Sequence, residues 1–349
     1  MEDKNTVLVT GANGYVASWI VKKLIEKGHT VHATVRDIND SSKTAHLKSL
    51  EVGNLGKLKI FEADLLIEDS YKKAMKDCSV VFHTASPFKL DIKDPQKELI
   101  DPALIGTENV LTTANKISSV ERIVITSSVA AMYSDSSECK NYINNEITES
   151  SWNTTASLSY QPYSFSKTLA EKKAWEIQSQ QNKWELVVIN PSLVLGPFIN
   201  SKDATSESFK IIKQIGDGTF KKWIPKMGIG LVDVRDVANA HYLAAFSKNV
   251  KGRFITCAHN TDLLEISKEL HLLFGDRYKI PTESAPKWLI WLIGPFLNKA
   301  LTRKYISNNL NHTFKASNQK IKKELGMNFR PMKDTLNDSF QSLIDSKIL

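Results

Sequence analysis

The chain has 349 residues, 42% of them hydrophobic, enough to bury a large core and to build one big domain with a smaller lobe. Its formal charge of +8, from 46 basic and 38 acidic residues, comes without the basic clusters, interleaved aromatics or known module of a nucleic-acid binder, so nucleic acid is not expected as a partner. No apolar run reaches the ~20 residues of a membrane span; the acidic start MEDKN lacks a secretory pattern; and three widely spaced cysteines, Cys78, Cys139 and Cys257, argue for a reducing, cytoplasmic setting and against disulfides or a metal site.

The first element is a short apolar strand, Thr6 to Thr10, followed by Gly11-Ala-Asn13-Gly14-Tyr15-Val16-Ala17 and a helix to Lys27 with Val16, Ile20 and Leu24 inward. Gly11 permits a tight turn off the strand, Gly14 a close approach of backbone to a pyrophosphate, and Ala17 close packing of the helix, whose free N–H groups favour anionic oxygen. Gly28 stops that helix, and His29 to Arg36 forms a second strand, completing one βαβ unit. Its end distinguishes the two nicotinamide cofactors. A carboxylate there holds a ribose hydroxyl and an arginine a 2′-phosphate, so Arg36, with Lys43 seven residues on, points to NADP(H), while the adjacent Asp37 offers the competing role.

Further strands follow at 57–65, 79–86, 122–128 and 185–192, with helices such as 69–76 and 102–117 between them. Such alternation gives an α/β fold, a doubly wound parallel sheet of Rossmann type. Asp64 and Leu65 close the third strand, and His83, Thr84, Ala85, Ser86 and Pro87 close the fourth, with small residues over which a cofactor can pass. His83 reads as a packed histidine, since nothing nearby suggests a metal partner. The fifth strand ends in Ser127-Ser128, either of which could hold a substrate oxygen. A polar loop covers 135–159. Pro162 then opens a helix on which Tyr163 and Lys167 share one face. An ammonium beside a phenol, together with a positive nicotinamide, is expected to draw the phenol's pKa toward working pH, giving a proton donor for the oxygen of a carbonyl.

After about Gly196 the pattern turns mostly helical. The expected division is a cofactor domain over 1–195, with 230–257 returning to the sheet, and a mostly helical substrate lobe from 196–229 and 258–349. Phe198, Phe220 and Trp223 are candidates for bordering its pocket. The stretch Trp288 to Leu297, WLIWLIGPFL, is too short to span a membrane; it reads as a buried helix or a membrane-surface contact.

At this point the chain resembles the extended short-chain dehydrogenases/reductases, and within them the dihydroflavonol-4-reductase-like group of the epimerase/dehydratase superfamily. The resemblance is carried by TGANGYVA at 10–17, TVRD at 34–37, ADL at 63–65, VFHTASP at 81–87, VITSSVAA at 124–131, YSFSKTLAE at 163–171, INPSLVLGP at 189–197 and VDVRDVANAH at 232–241. It implies an NADP(H)-dependent oxidoreductase that reduces a small-molecule aldehyde or ketone, with Ser128, Tyr163 and Lys167 as the catalytic set, no metal, and a monomeric or homodimeric state. It also implies cofactor roles for Gly11, Asn13, Gly14, Tyr15, Val16, Arg36, Lys43, Asp64, Leu65, Thr84, Ala85, Ser86, Tyr163, Lys167, Pro191 and Ser206. The loop after Ser128 lacks the asparagine-tryptophan-tyrosine-cysteine signature of cinnamoyl-CoA reductases, so that substrate is not expected. Two other readings use the same features: a nucleotide-sugar epimerase/dehydratase or hydroxysteroid dehydrogenase/isomerase, and a non-catalytic NADP-binding redox sensor.

Overall fold

The computed structural model describes residues 4–86, 92–220, 222–297 and 301–349; Pro87, the last residue of the fourth-strand motif, lies outside them. In chain order the first half runs β1 (Thr6–Val9), α1 (Tyr15–Glu26), β2 (Thr30–Val35), α2 (Ser41–Ser49), β3 (Lys57–Glu62), α3 (Lys72–Met75), β4 (Val80–His83), α4 (Asp101–Asn115), β5 (Arg122–Thr126), α5 (Pro162–Ser179), β6 (Glu185–Pro191) and β7 (Leu193–Leu195). The second half runs α6 (Glu207–Gly216), β8 (Trp223–Ile224), β9 (Gly228–Asp233), α7 (Val234–Phe246), β10 (Gly252–Thr256), β11 (His259–Asp262), α8 (Leu263–Phe274), β12 (Glu283–Ser284), α9 (Lys287–Leu297), α10 (Arg303–Asn309), α11 (Gln319–Leu325) and α12 (Met332–Asp345).

Seven parallel strands form the main sheet in the order β10-β6-β5-β4-β1-β2-β3. Alternate side chains of the inner strands enter opposite layers, which is why those strands read as apolar runs, whereas the edge strand β3, KLKIFE, keeps its lysines exposed. Val7, Val9, Phe82, Val124 and Ile189 pack with α1 and α7, whereas Leu8, Val81, Ile123, Ile125 and Val188 pack with α4 and α5. The strand order reverses between β1 and β4, so a crevice opens at their C-terminal ends.

The sequence reading departs from the structure in three places. Residues 231–234 do not rejoin the main sheet: β9 pairs with β7 and β11 in a separate three-stranded sheet, and only β10 returns, beside β6. A short apolar strand does not encode which sheet accepts it. The helix read over 69–76 shrinks to 72–75, bounded by Asp69 and Asp77 with φ of 57° and 64°. In the C-terminal region, α6, α8 and α12 enclose a third core around Phe209, Leu270 and Phe340. Ile321, Leu325 and Met327 instead pack into the α1/α7 layer, so α11 goes with the sheet.

Candidate active site

The glycine turn is held open by its neighbours. Gly11 N–H donates to Thr34 Oγ1 (3.2 Å), Ala12 N–H to Thr34 O (2.8 Å), and Gly14 N–H to Gly11 O (2.9 Å). Gly11 has φ +60°, and a Cβ there would lie 2.9 Å from Ala85 Cβ, so the turns after β1 and β4 touch only because residue 11 has no side chain. Thr10 Oγ1 accepts from Thr84 and Ala85 N–H (3.1 Å each) and meets His83 Nδ1 at 3.0 Å. His83 is thus a packed histidine, its pKa pushed down to about 3 by burial and then by Lys167. No side chain caps α1, whose first N–H groups face the cleft.

All the catalytic and cofactor candidates drawn from the sequence line one cleft of about 1200 Å³, from Gly11 and Arg36 at one end to Ser128, Tyr163 and Pro191 at the other. Within it their offers differ. Tyr15 gives its hydroxyl to Gly196 O (2.9 Å) and its ring edge to Phe209, which leaves backbone for a ligand. Asp64 accepts from Leu66 N–H (2.8 Å), and Leu65 O takes a bond from Asn109 (2.7 Å). Exposed Arg36 stands at the end of β2, with Lys43 ion-paired to Asp40 at 3.0 Å. Asp37, beside it, accepts Asn39 N–H at 3.0 Å and does not line the cleft. Lys202 adds a third cation, on a loop tied to α2 by Asn200 Nδ2 to Ser42 O (3.3 Å).

That loop holds Ser206, a candidate from the sequence, and Asp203, which the sequence reading missed. Asp203 and Ser206 both line the cleft with a buried oxygen, Oδ2 and Oγ, that has no hydrogen-bond partner among the described residues. Burial pushes the Asp203 carboxyl up to about 7. Ser206 comes from the family resemblance alone, and no spacing or motif marks Asp203.

At the other end, Ser128 begins a helical turn and accepts Ala130 N–H at 3.1 Å. Its hydroxyl also hydrogen-bonds the Tyr163 phenol. The alternative, Ser127, donates to the buried Glu171 carboxylate at 2.5 Å, so its hydroxyl is already committed. Lys167 donates to Ser86 Oγ at 3.1 Å and lies 6.0 Å from the centre of the Tyr163 ring. Burial pushes the phenol up to about 12, with only partial relief from Ser128. It pushes Lys167 down to about 8, with Glu171 opposing. In the chain itself, burial raises the phenol and the Ser128 hydrogen bond is what lowers it; the expectation of a lowered phenol included the positive charge of a bound nicotinamide. Phe198 and Phe220 pack against the third core and Trp223 is exposed, bonded to Glu283 at 3.2 Å. None of the three borders the cleft.

Glu171 also escaped the sequence reading. One turn after Lys167, it accepts Asn190 Nδ2 at 2.8 Å and pairs with Arg253 Nε at 2.6 Å, while Arg253 stacks on Trp152 at 4.0 Å. Asn190 Nδ2 in turn reaches Ser128 O at 3.2 Å. The network thus joins the helix of Tyr163 to the strand end of Ser128. Its only sequence signal is the i,i+4 step from Lys167.

Comparison with known proteins gives the arrangement a context. Residues 7–257 match the NAD dependent epimerase/dehydratase family. A cinnamoyl-CoA reductase of Medicago truncatula is 36% identical, the match covering 98% of this chain and 97% of that protein. An anthocyanidin reductase of Vitis vinifera is 34% identical over 80% of this chain and 84% of its own length. The yeast methylglyoxal/isovaleraldehyde reductase, solved with NADPH, superposes with a TM-score of 0.78 at 27% identity, covering 99% of this chain and all (100%) of that one.

Proposed function

The chain belongs to the NAD-dependent epimerase/dehydratase family, in its dihydroflavonol-4-reductase-like group, as an NADPH-dependent carbonyl reductase, and we propose that it reduces a free aldehyde or ketone with Tyr163 as proton donor. The observation that carries the residue roles is the meeting of Ser128, Tyr163 and Lys167 at one end of a cleft whose other end gathers Arg36, Lys43 and Lys202.

Three features fit NADPH to that cleft. The Gly11–Ala85 contact leaves backbone bare beside the uncapped start of α1, where a pyrophosphate is well received. The three cations suit a 2′-phosphate. Asp203 and Ser206 also line this cleft, each with a buried oxygen that has no hydrogen-bond partner among the described residues. When bound, NADPH supplies the hydride for the carbonyl carbon.

The chain's own residues do the rest. Ser128 and Tyr163 hold the carbonyl oxygen between two hydroxyls, and Tyr163 gives its proton as that oxygen gains charge. At neutral pH the phenol is fully protonated, the form a donor needs. Lys167, fixed by Ser86, stands beside the ring as a cation that favours the phenolate left behind. The missing loop signature speaks against a CoA thioester as substrate, hence the proposal of a free carbonyl.

The test is NADPH consumption with a panel of aldehydes, α-diketones, dihydroflavonols and ketosteroids. Turnover of at least one, above the rate without protein, is expected; silence throughout, in a protein that still binds NADPH, would overturn the free-carbonyl assignment.

A further inference from the structure

The apolar stretch 287–297 folds as α9, but it is not buried. Its inner side is narrow: Gly294 is buried, and a Cβ there would lie 3.0 Å from Ile306 Cδ1, so α9 sits directly on α10. Its outer side carries Trp288 (69% exposed), Trp291 (40%), Leu292 (50%), Ile293 (40%) and Phe296 (84%). Single exposed apolar residues are ordinary, but five large ones on one three-turn helix call for a partner. None of them lines the catalytic cleft.

Charge selects the partner. From Lys279 to Lys304 the sequence has five Lys or Arg against one Glu. Arg303 and Lys304 are exposed on α10; the Arg303 guanidinium lies 4.6 Å from the centre of the Trp291 ring and so borders the aromatic face, while Lys304 Nζ lies 3.7 Å from the centre of the Tyr160 ring and Lys287 Nζ donates to Ser307 O and Leu310 O. Tryptophan, phenylalanine and leucine flanked by cations match the boundary between acyl chains and anionic headgroups. A second copy of the chain fits less well. A stable interface takes about 20–30 residues a side, whereas this face is one helix of about 16 Å, and two-fold pairing would set two basic rims against each other.

We propose that α9 docks the protein on an anionic lipid bilayer, lying in the headgroup plane with Trp288 and Phe296 leading. It lies on the surface and does not cross: no helix among the described residues is long and apolar enough to span a membrane. The docking is independent of the reductase chemistry.

The test is co-sedimentation of the full chain with vesicles of phosphatidylcholine containing phosphatidylserine, and with vesicles of phosphatidylcholine alone. Binding to the anionic vesicles is expected, weakened by salt, with a blue shift in tryptophan emission. The double variant Trp288→Glu, Phe296→Glu should bind at least tenfold more weakly while consuming NADPH at the wild-type rate. Three results would each overturn the proposal: no binding to anionic vesicles; equal binding by the double variant, which would assign attraction to overall charge; or wild-type self-association lost in the variant without lipid binding, which would assign the face to a second copy.

Discussion

Burial separates the two titrations on α5, pushing Tyr163 up to about 12 and Lys167 down to about 8. Lys167 is charged below its pKa and neutral above it, so the cation beside the phenol is lost as pH climbs through 8. kcat/KM for carbonyl reduction should therefore hold level on the acid side of 8 and fall beyond it, while alcohol oxidation, which needs the phenolate, rises. A reduction profile that climbs through this range would reverse the protonation assignment. Asp203 gives a second residue-scale expectation. Its carboxyl is neutral below about 7 and anionic above, so affinity for the anionic cofactor should weaken as pH rises through 7, and Asp203→Asn should flatten that dependence. Titration by fluorescence quenching at several pH values checks it; an unchanged slope in the variant would place Asp203 away from the phosphates. Tyr163 and Lys167 were legible because a helix turns a four-residue spacing into adjacency. Asp203 was not, because its role depends on an irregular loop folding back over α2.

Helix α5 meets strand β10 through a buried ion pair, Glu171 with Arg253, and strand β6 through the Asn190 amide that donates to the same carboxylate. Removing one partner of such a pair leaves the other charge stranded, at a cost of about 3–5 kcal/mol. Glu171→Gln should lower the urea midpoint accordingly. Because Glu171 also holds the Lys167 pKa up, the same variant should move the fall in the reduction profile to lower pH. A stability loss with an unmoved pH profile would reduce Glu171 to a packing role. The inner sheet strands were readable as apolar runs because they are buried on both faces. Strand β9 was equally apolar, yet its partners, β7 and β11, are set by tertiary packing that periodicity does not carry. The Glu171 network stayed hidden for the same reason: Ser127, Asn190 and Arg253 reach it from three separate strand regions.

Across the whole molecule, the reversal of strand order between β1 and β4 brings residues from Gly11 to Ser206 into a single cleft. The +8 charge favours an anionic cofactor in general, but Arg36 at the end of β2 is what should choose between the two nicotinamides. Arg36→Leu should cost NADPH roughly tenfold or more in affinity, as one charge-assisted contact is worth about 1.5–3 kcal/mol, and leave NADH nearly unaffected; equal losses for both cofactors would point to packing. The measurement that bears most directly on the account compares wild type with Tyr163→Phe for both NADPH binding and carbonyl reduction. Binding should be unchanged and turnover should fall by about 100-fold or more, the scale of a removed general acid. Turnover at the wild-type rate in the variant would contradict it.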